Sequence, residues 1–179
     1  MPQVFLLGRH GTGKSTIGRA MEAHGYQHVS VGALRRLAGR NEFPSDIPVS
    51  LMLALRNAPR TAPMPGNVTQ HLLTYLSKLR NAIVDGFPYD VWQLRQLPHT
   101  AVLCLVWVPA AARETRLIAR ASASGRTWTP GGSSMRDETL PMLVKAARAE
   151  KRILFIPNRA HGSAAISEIA TSLAERLAR

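Results

Sequence analysis

Two features of the sequence predict an α/β fold built on a parallel sheet with helices on both faces. Strand-like and helix-like segments alternate along the chain, and the run Ala101–Val108 is apolar without alternation, the pattern of a central strand covered on both sides. A third feature is a glycine-rich turn between the first strand and the first helix. It marks where a ligand would sit, at the carboxyl edge of such a sheet.

Taken in order, Gln3–Leu7 is a short apolar strand, and a helix is predicted from Lys14 to about His24. Gln27–Ser30 is a weak second strand, and Val31–Arg40 reads as a helix that stops at Gly39. Pro44, Pro48, Pro59, Pro63 and Pro65 punctuate the next stretch, around one short helical run near Val49–Arg56. Such a segment is predicted to be a mobile, substrate-covering insert rather than a core layer. Helical spacing returns at Val68, Leu72, Tyr75, Leu76 and Leu79. Ala82–Asp85 is a strand ending in an acid, followed by a helix over Val91–Leu97. Pro109–Ala121 is helical, Ser122–Ser134 is loop-like, and a further helix reaches about Glu150. Arg152–Ile156 is the last strand, and Ile166, Ile169, Leu173 and Leu177 mark the closing helix.

The length, 179 residues, suits one domain with a sizeable core. No run approaches the roughly 18–20 apolar residues of a membrane span, and Val4–Leu7 is too short for the apolar core of a secretory signal. A cytoplasmic monomer without a membrane partner is the expectation. The single cysteine, Cys104, lies inside the apolar run and reads as a buried thiol, with neither a disulfide framework nor a metal cluster. The net charge of +12 has two readings: an anionic ligand, either a polyphosphate nucleotide or a nucleic acid, or a compositional bias toward arginine. The positive charges are scattered, 19 of the 23 basic residues are arginine, and only three Trp and three Tyr are available for stacking. Nucleic acid is therefore the less favoured partner.

Gly8-Arg9-His10-Gly11-Thr12-Gly13-Lys14-Ser15 satisfies G-x-x-x-x-G-K-[ST], the Walker A pattern, after a strand and opening a helix. The glycines let the backbone bend so that successive N–H groups face one anion, and the helix N-terminus adds partial positive charge. Lys14 reaches β- and γ-phosphates, and the Ser15 hydroxyl suits Mg²⁺. Gly8, Gly11, Thr12, Gly13 and Thr16 complete the candidate nucleotide site, with His10 as a variable position inside it. The motif names ATP as the donor and leaves the acceptor open.

Further segments align with this loop. His28-Val29-Ser30-Val31-Gly32-Ala33-Leu34-Arg35-Arg36, Asp85-Gly86-Phe87-Pro88-Tyr89, Gln93, and Val108-Pro109 followed by Arg116, Arg120, Ser124, Gly125 and Arg126 resemble, in order and spacing, the motifs of the adenylate kinase family of nucleoside monophosphate kinases. The likeness covers residues 4 to about 126. It implies a five-stranded parallel sheet, an acceptor-binding insert at 30–66 and a short lid at 122–136. It also implies Asp85 on Mg²⁺, Arg36 on the acceptor phosphate, Gln93 on the acceptor base, and Arg116, Arg120 and Arg126 around the transferred group. Phosphoryl transfer independently asks for converging arginines, because its catalysis is positioning and charge neutralisation. Arg113, Arg116 and Arg120 fall three and four apart on one helix face.

The sequence also departs from that pattern. Tyr89 stands where the family has a phosphate-gripping arginine, and a phenol cannot supply that charge. Val31 and Ala33 replace a threonine and an aspartate of the acceptor pocket. Ser15-Thr16 replaces Gly-Thr after the lysine, and Thr127-Trp128 replaces a pair of aspartates. Arg35 or Arg95 could compensate for Tyr89, and Arg136 could match the last lid arginine. The donor half is intact and the acceptor half altered. The expected function is ATP- and Mg²⁺-dependent phosphorylation of a small acceptor, a nucleoside monophosphate first. The alternatives are a modified nucleotide or other metabolite as acceptor, with Asp46 as a base for a neutral hydroxyl, or an ATP-binding regulatory module. A polynucleotide 5′-kinase would use the surplus positive charge.

Overall fold

Five short strands carry the fold: β1 (Val4–Leu7), β2 (Gln27–Ser30), β3 (Ala82–Asp85), β4 (Val102–Trp107) and β5 (Ile153–Pro157). In the computed structural model, which describes residues 2–59, 63–124, 135–150, 153–159 and 162–178, they form one sheet in the order β2-β3-β1-β4-β5. Every pairing is parallel, with Leu6 opposite Asp85 on one side and Cys104 on the other. The order reverses at β1, so the turn after it opens at the switch point where such sheets bind ligands.

The helices are α1 (Lys14–Ala20), α2 (Val31–Gly39), α3 (Val49–Asn57), α4 (Gly66–Ser77), α5 (Val91–Arg95), α6 (Ala110–Ser124), α7 (Met135–Ala149) and α8 (Ser163–Leu177). Alternation along β1 divides the core in two. Phe5 and Leu7 face a cluster with Leu34, Met52, Leu72, Leu94 and Leu143, drawn from α2, α3, α4, α5 and α7. Val4 and Leu6 face Ile17, Met21, Ala170 and Leu173, from α1, α8 and the turn between α1 and β2. The central strands are thus covered on both faces, which is why their sequence lacks a polar side. Cys104 belongs to the second cluster, and burial pushes its thiol up to about 12.

Several element ends differ from expectation. The first helix gives way after Ala20 to a 3₁₀ turn over Met21–His24, ended by Gly25 in the left-handed region. The helix expected over Val91–Leu97 closes at Arg95, and α6 runs on to Ser124, three residues past its expected end. Coverage also fails at the carboxyl end of β4. Trp107 is 42% exposed beside Phe155 at 50%, their ring centroids 6.3 Å apart. Most of the segment expected as a lid, 122–136, lies outside the described residues, as does Arg126. No helix among the described residues is long and apolar enough to cross a membrane.

Candidate active site

The loop between β1 and α1 is shaped by its glycines and held by side chains from far along the chain. Gly13 caps α1 at φ 88°, ψ 16°, a conformation that a side chain disfavours. A Cβ there would also lie 2.5 Å from Asn158 Nδ2. That amide nitrogen donates to the Thr12 carbonyl at 2.8 Å. Thr12 itself is buried, and its hydroxyl donates to the Arg9 carbonyl. Gly11 packs against Leu117 of α6, and Gly8 sits so near β4 that a Cβ would meet the Val106 carbonyl at 2.4 Å. The backbone N–H of His10 donates to Asp137 Oδ1 at 3.1 Å. Lys14 curls over the loop, its Nζ donating to the Gly8 and Arg9 carbonyls at 2.8 and 2.7 Å.

Asp85 sits at the carboxyl end of β3, beside this loop and almost wholly buried. His28 Nε2 lies 2.7 Å from Oδ2, and the Ser30 hydroxyl donates to Oδ1 at 3.2 Å. An ionised carboxylate only accepts, so Nε2 carries the proton of that bond. Burial alone would raise the Asp85 carboxyl. Hydrogen bonds from His28 and Ser15, with the positive charges of His28 and Lys14, outweigh it and hold the group below the ordinary carboxylate range. A serine hydroxyl and an ionised carboxylate are hard oxygen donors, so Ser15 and Asp85 together fit Mg²⁺.

A cleft of about 850 Å³ joins most of the expected residues. From the nucleotide half it takes in His10, Gly11, Gly13, Lys14, Ser15 and Thr16, with Arg116 and Arg120 of α6; from the acceptor half come Arg36, Asp85 and Tyr89. Val31 and Ala33 line it, as does Asp46, the candidate base. Gly8 and Thr12, on the same loop as Gly11 and Gly13, do not line the cleft. Arg35 also borders the cleft while donating to the Pro59 carbonyl.

Gln93 is placed elsewhere. It is fully buried, outside the cleft, and both ends of its amide are engaged. Oε1 accepts from the Tyr89 backbone N–H at 2.7 Å, and Nε2 donates to the Met64 carbonyl at 3.1 Å. With Asp90, whose side chain accepts from the Gln93 N–H at 2.8 Å, it forms a capping arrangement at the start of α5. The sequence Asp90-Val91-Trp92-Gln93 carries that signal. The arginine face of α6 is divided too. Arg116 and Arg120 face the cleft, whereas Arg113 pairs with Asp137 at 3.3 Å.

Four residues that carry the site receive no role from the sequence. His28 and Ser30 hold Asp85, and their place beside it follows from the register that sets Ser30 opposite Asp85. Asp137 and Asn158 hold the loop, and neither belongs to a local motif.

No protein-family model matches the sequence, and no curated protein matches it. The fold itself has solved counterparts. A gluconokinase from Sinorhizobium meliloti superimposes with a TM-score of 0.54 at 17% identity, over 99% of this chain and 93% of that one. A shikimate kinase from Acinetobacter baumannii, solved with shikimate, gives 0.55 at 14% identity, over 99% and 93%. A protein from Thermus thermophilus gives 0.53 at 21% identity, over 98% and 97%. At these identities the likeness establishes the architecture: a five-stranded parallel α/β fold of the kind found in P-loop kinases.

Proposed function

We propose that the chain is an ATP- and Mg²⁺-dependent phosphotransferase acting on a small acceptor, a nucleoside monophosphate first among candidates. The observation that carries this reading is a single cleft that joins the Walker A loop to Asp85, Tyr89 and Arg36. The fold it shares with a gluconokinase and a shikimate kinase supports the coarser part, phosphorylation of a small molecule.

The chemistry assigned to the residues is simple. Loop amides take the donor phosphates, and Lys14 exchanges the Gly8 and Arg9 carbonyls for phosphate oxygens. An acceptor oxygen attacks the γ-phosphorus in line. Its new P–O bond forms as the bond to the β–γ bridging oxygen breaks, and ADP leaves. Arg116 and Arg120 neutralise charge on the transferred group, and Arg36 and Arg35 favour an anionic acceptor. Ser15 and Asp85 would hold Mg²⁺, which supplies charge neutralisation on the phosphate oxygens.

A second reading has its own support. Gln93 is engaged on Met64 and Tyr89 rather than turned to the cleft, and Tyr89 brings no positive charge. Both features suit a hydroxyl-bearing metabolite, whose proton would pass to Asp46 on the cleft wall. Coupled-assay turnover across nucleoside monophosphates and small hydroxylated acids separates the two. Activity with a monophosphate, lost in Lys14→Ala, supports the first. Activity with hydroxyl acceptors alone moves the assignment to the second. Binding of Mg·ATP without turnover of any acceptor points to a regulatory module and overturns both.

A further inference from the structure

We propose that Asp137 is a positioning residue for the nucleotide, holding the tip of the phosphate loop from the first turn of α7. The inference rests on the nucleotide-binding role proposed above for that loop. Asp137 is 5% exposed, and both its oxygens are engaged. Oδ1 accepts the backbone N–H of His10 at 3.1 Å and lies 3.5 Å from His10 Nδ1; Oδ2 accepts from Arg113 Nη1 at 3.3 Å. The stem of Arg113 lies beneath Gly11, where a Cβ would approach its Cγ to 3.1 Å. The Arg113–Asp137 pair therefore offsets part of the carboxylate's charge and floors the loop.

A carboxylate beside a polyphosphate site weakens anion binding by its charge. For a net gain in binding, the order it imposes must outweigh what remains of that repulsion after pairing with Arg113. A loop with glycine at 8, 11 and 13 has much backbone freedom to lose when it closes on phosphates. Fixing His10 from α7, as Asn158 fixes Thr12 from the end of β5, removes part of that loss before the ligand arrives. The same helical turn reaches the acceptor side, where the Thr139 hydroxyl donates to the Tyr89 carbonyl at 2.9 Å. One turn of α7 thus anchors the loops that border both halves of the cleft.

The test is calorimetric titration of the whole chain with Mg²⁺ and a non-hydrolysable ATP analogue. Loss of a buried hydrogen bond to a charged acceptor predicts that Asp137→Ala weakens binding about tenfold. Asp137→Asn keeps an oxygen for the His10 amide and is expected to recover at least about threefold of that loss. Leu143→Ala removes core packing from the same helix, lowers Tm and leaves the Kd within about twofold of wild type. Equal or tighter binding by Asp137→Ala overturns the proposal, as does an Asn variant no better than Ala. A Leu143→Ala loss as large as that of Asp137→Ala assigns the effect to α7 docking and also overturns it. Should Asp137→Ala fail to fold, Asp137→Ser, too short to reach the His10 amide, replaces it with the same expectation. Wild-type protein that binds no analogue removes the nucleotide reading itself, a result distinct from all of these.

Discussion

The His28 imidazole is wedged between Asp85 and the backbone of α1. A Cβ on Gly18 would come within 2.3 Å of the ring's Cδ2 and 2.6 Å of its Nε2, the nitrogen bonded to Asp85. Gly18→Ala is therefore expected to push His28 off the carboxylate and to cost about 1–3 kcal/mol, as overpacking does. Urea unfolding measures the loss. In the double variant with His28→Ala the new methyl has room, so the two changes must be strongly non-additive. Additive losses would mean that the ring is not the obstacle. His28 was visible in the sequence only through resemblance. Its contact with Asp85 spans 57 positions and depends on the pairing of β2 with β3.

At the scale of elements, one side chain of α5 joins two distant segments. Gln93 ties the Met64 carbonyl, just before α4, to the Tyr89 amide, so the end of the proline-rich stretch and the loop after β3 share one anchor. Gln93→Ala removes the amide from the part-buried Tyr89 N–H and from the buried Met64 carbonyl, which keeps only the long bond from the Thr69 hydroxyl at 3.4 Å. The expected cost is about 2 kcal/mol, or roughly 4–8 °C in Tm for a chain of this size. A Tm within a degree of wild type would show that water or a shifted backbone replaces the amide. The element order was legible, because every strand but β2 is built on a contiguous apolar run and the longer helices keep their spacing. The ends were less so. The break after Ala20 and the stop at Arg95 are decided by local turns, and sequence spacing marks such boundaries only to within a few residues. The place of the loop, residues 8–15 between the first strand and the first helix, was legible because the motif is contiguous. Its supports were not, since Asp137 and Asn158 lie 127 and 146 positions from the atoms they hold.

At the scale of the whole molecule, two buried carboxylates among the described residues, Asp85 and Asp137, affect its tolerance of acid. Burial would raise Asp137 as it would Asp85, but hydrogen bonds from the His10 side chain and backbone, with the charges of His10 and Arg113, hold it below its ordinary range. A carboxyl depressed in the folded state adds stability above its unfolded value, about 3.9. That stability fades as pH falls toward the lower folded value. Wild-type protein is thus expected to lose stability steeply below about pH 4, and Asp85→Asn to show a shallower acid limb. Denaturant midpoints between pH 3 and pH 7 measure both, and identical slopes would exclude a native-state bias at Asp85. The sealed interior has a practical side as well. With Cys104 fully buried and its thiol pushed up to about 12, maleimide dyes should pass it by near neutral pH. Cysteines introduced on the surface would then be the labelled positions, and a donor–acceptor dye pair, one on α3 and one on α8, would report their separation by energy transfer without first removing the native sulfur.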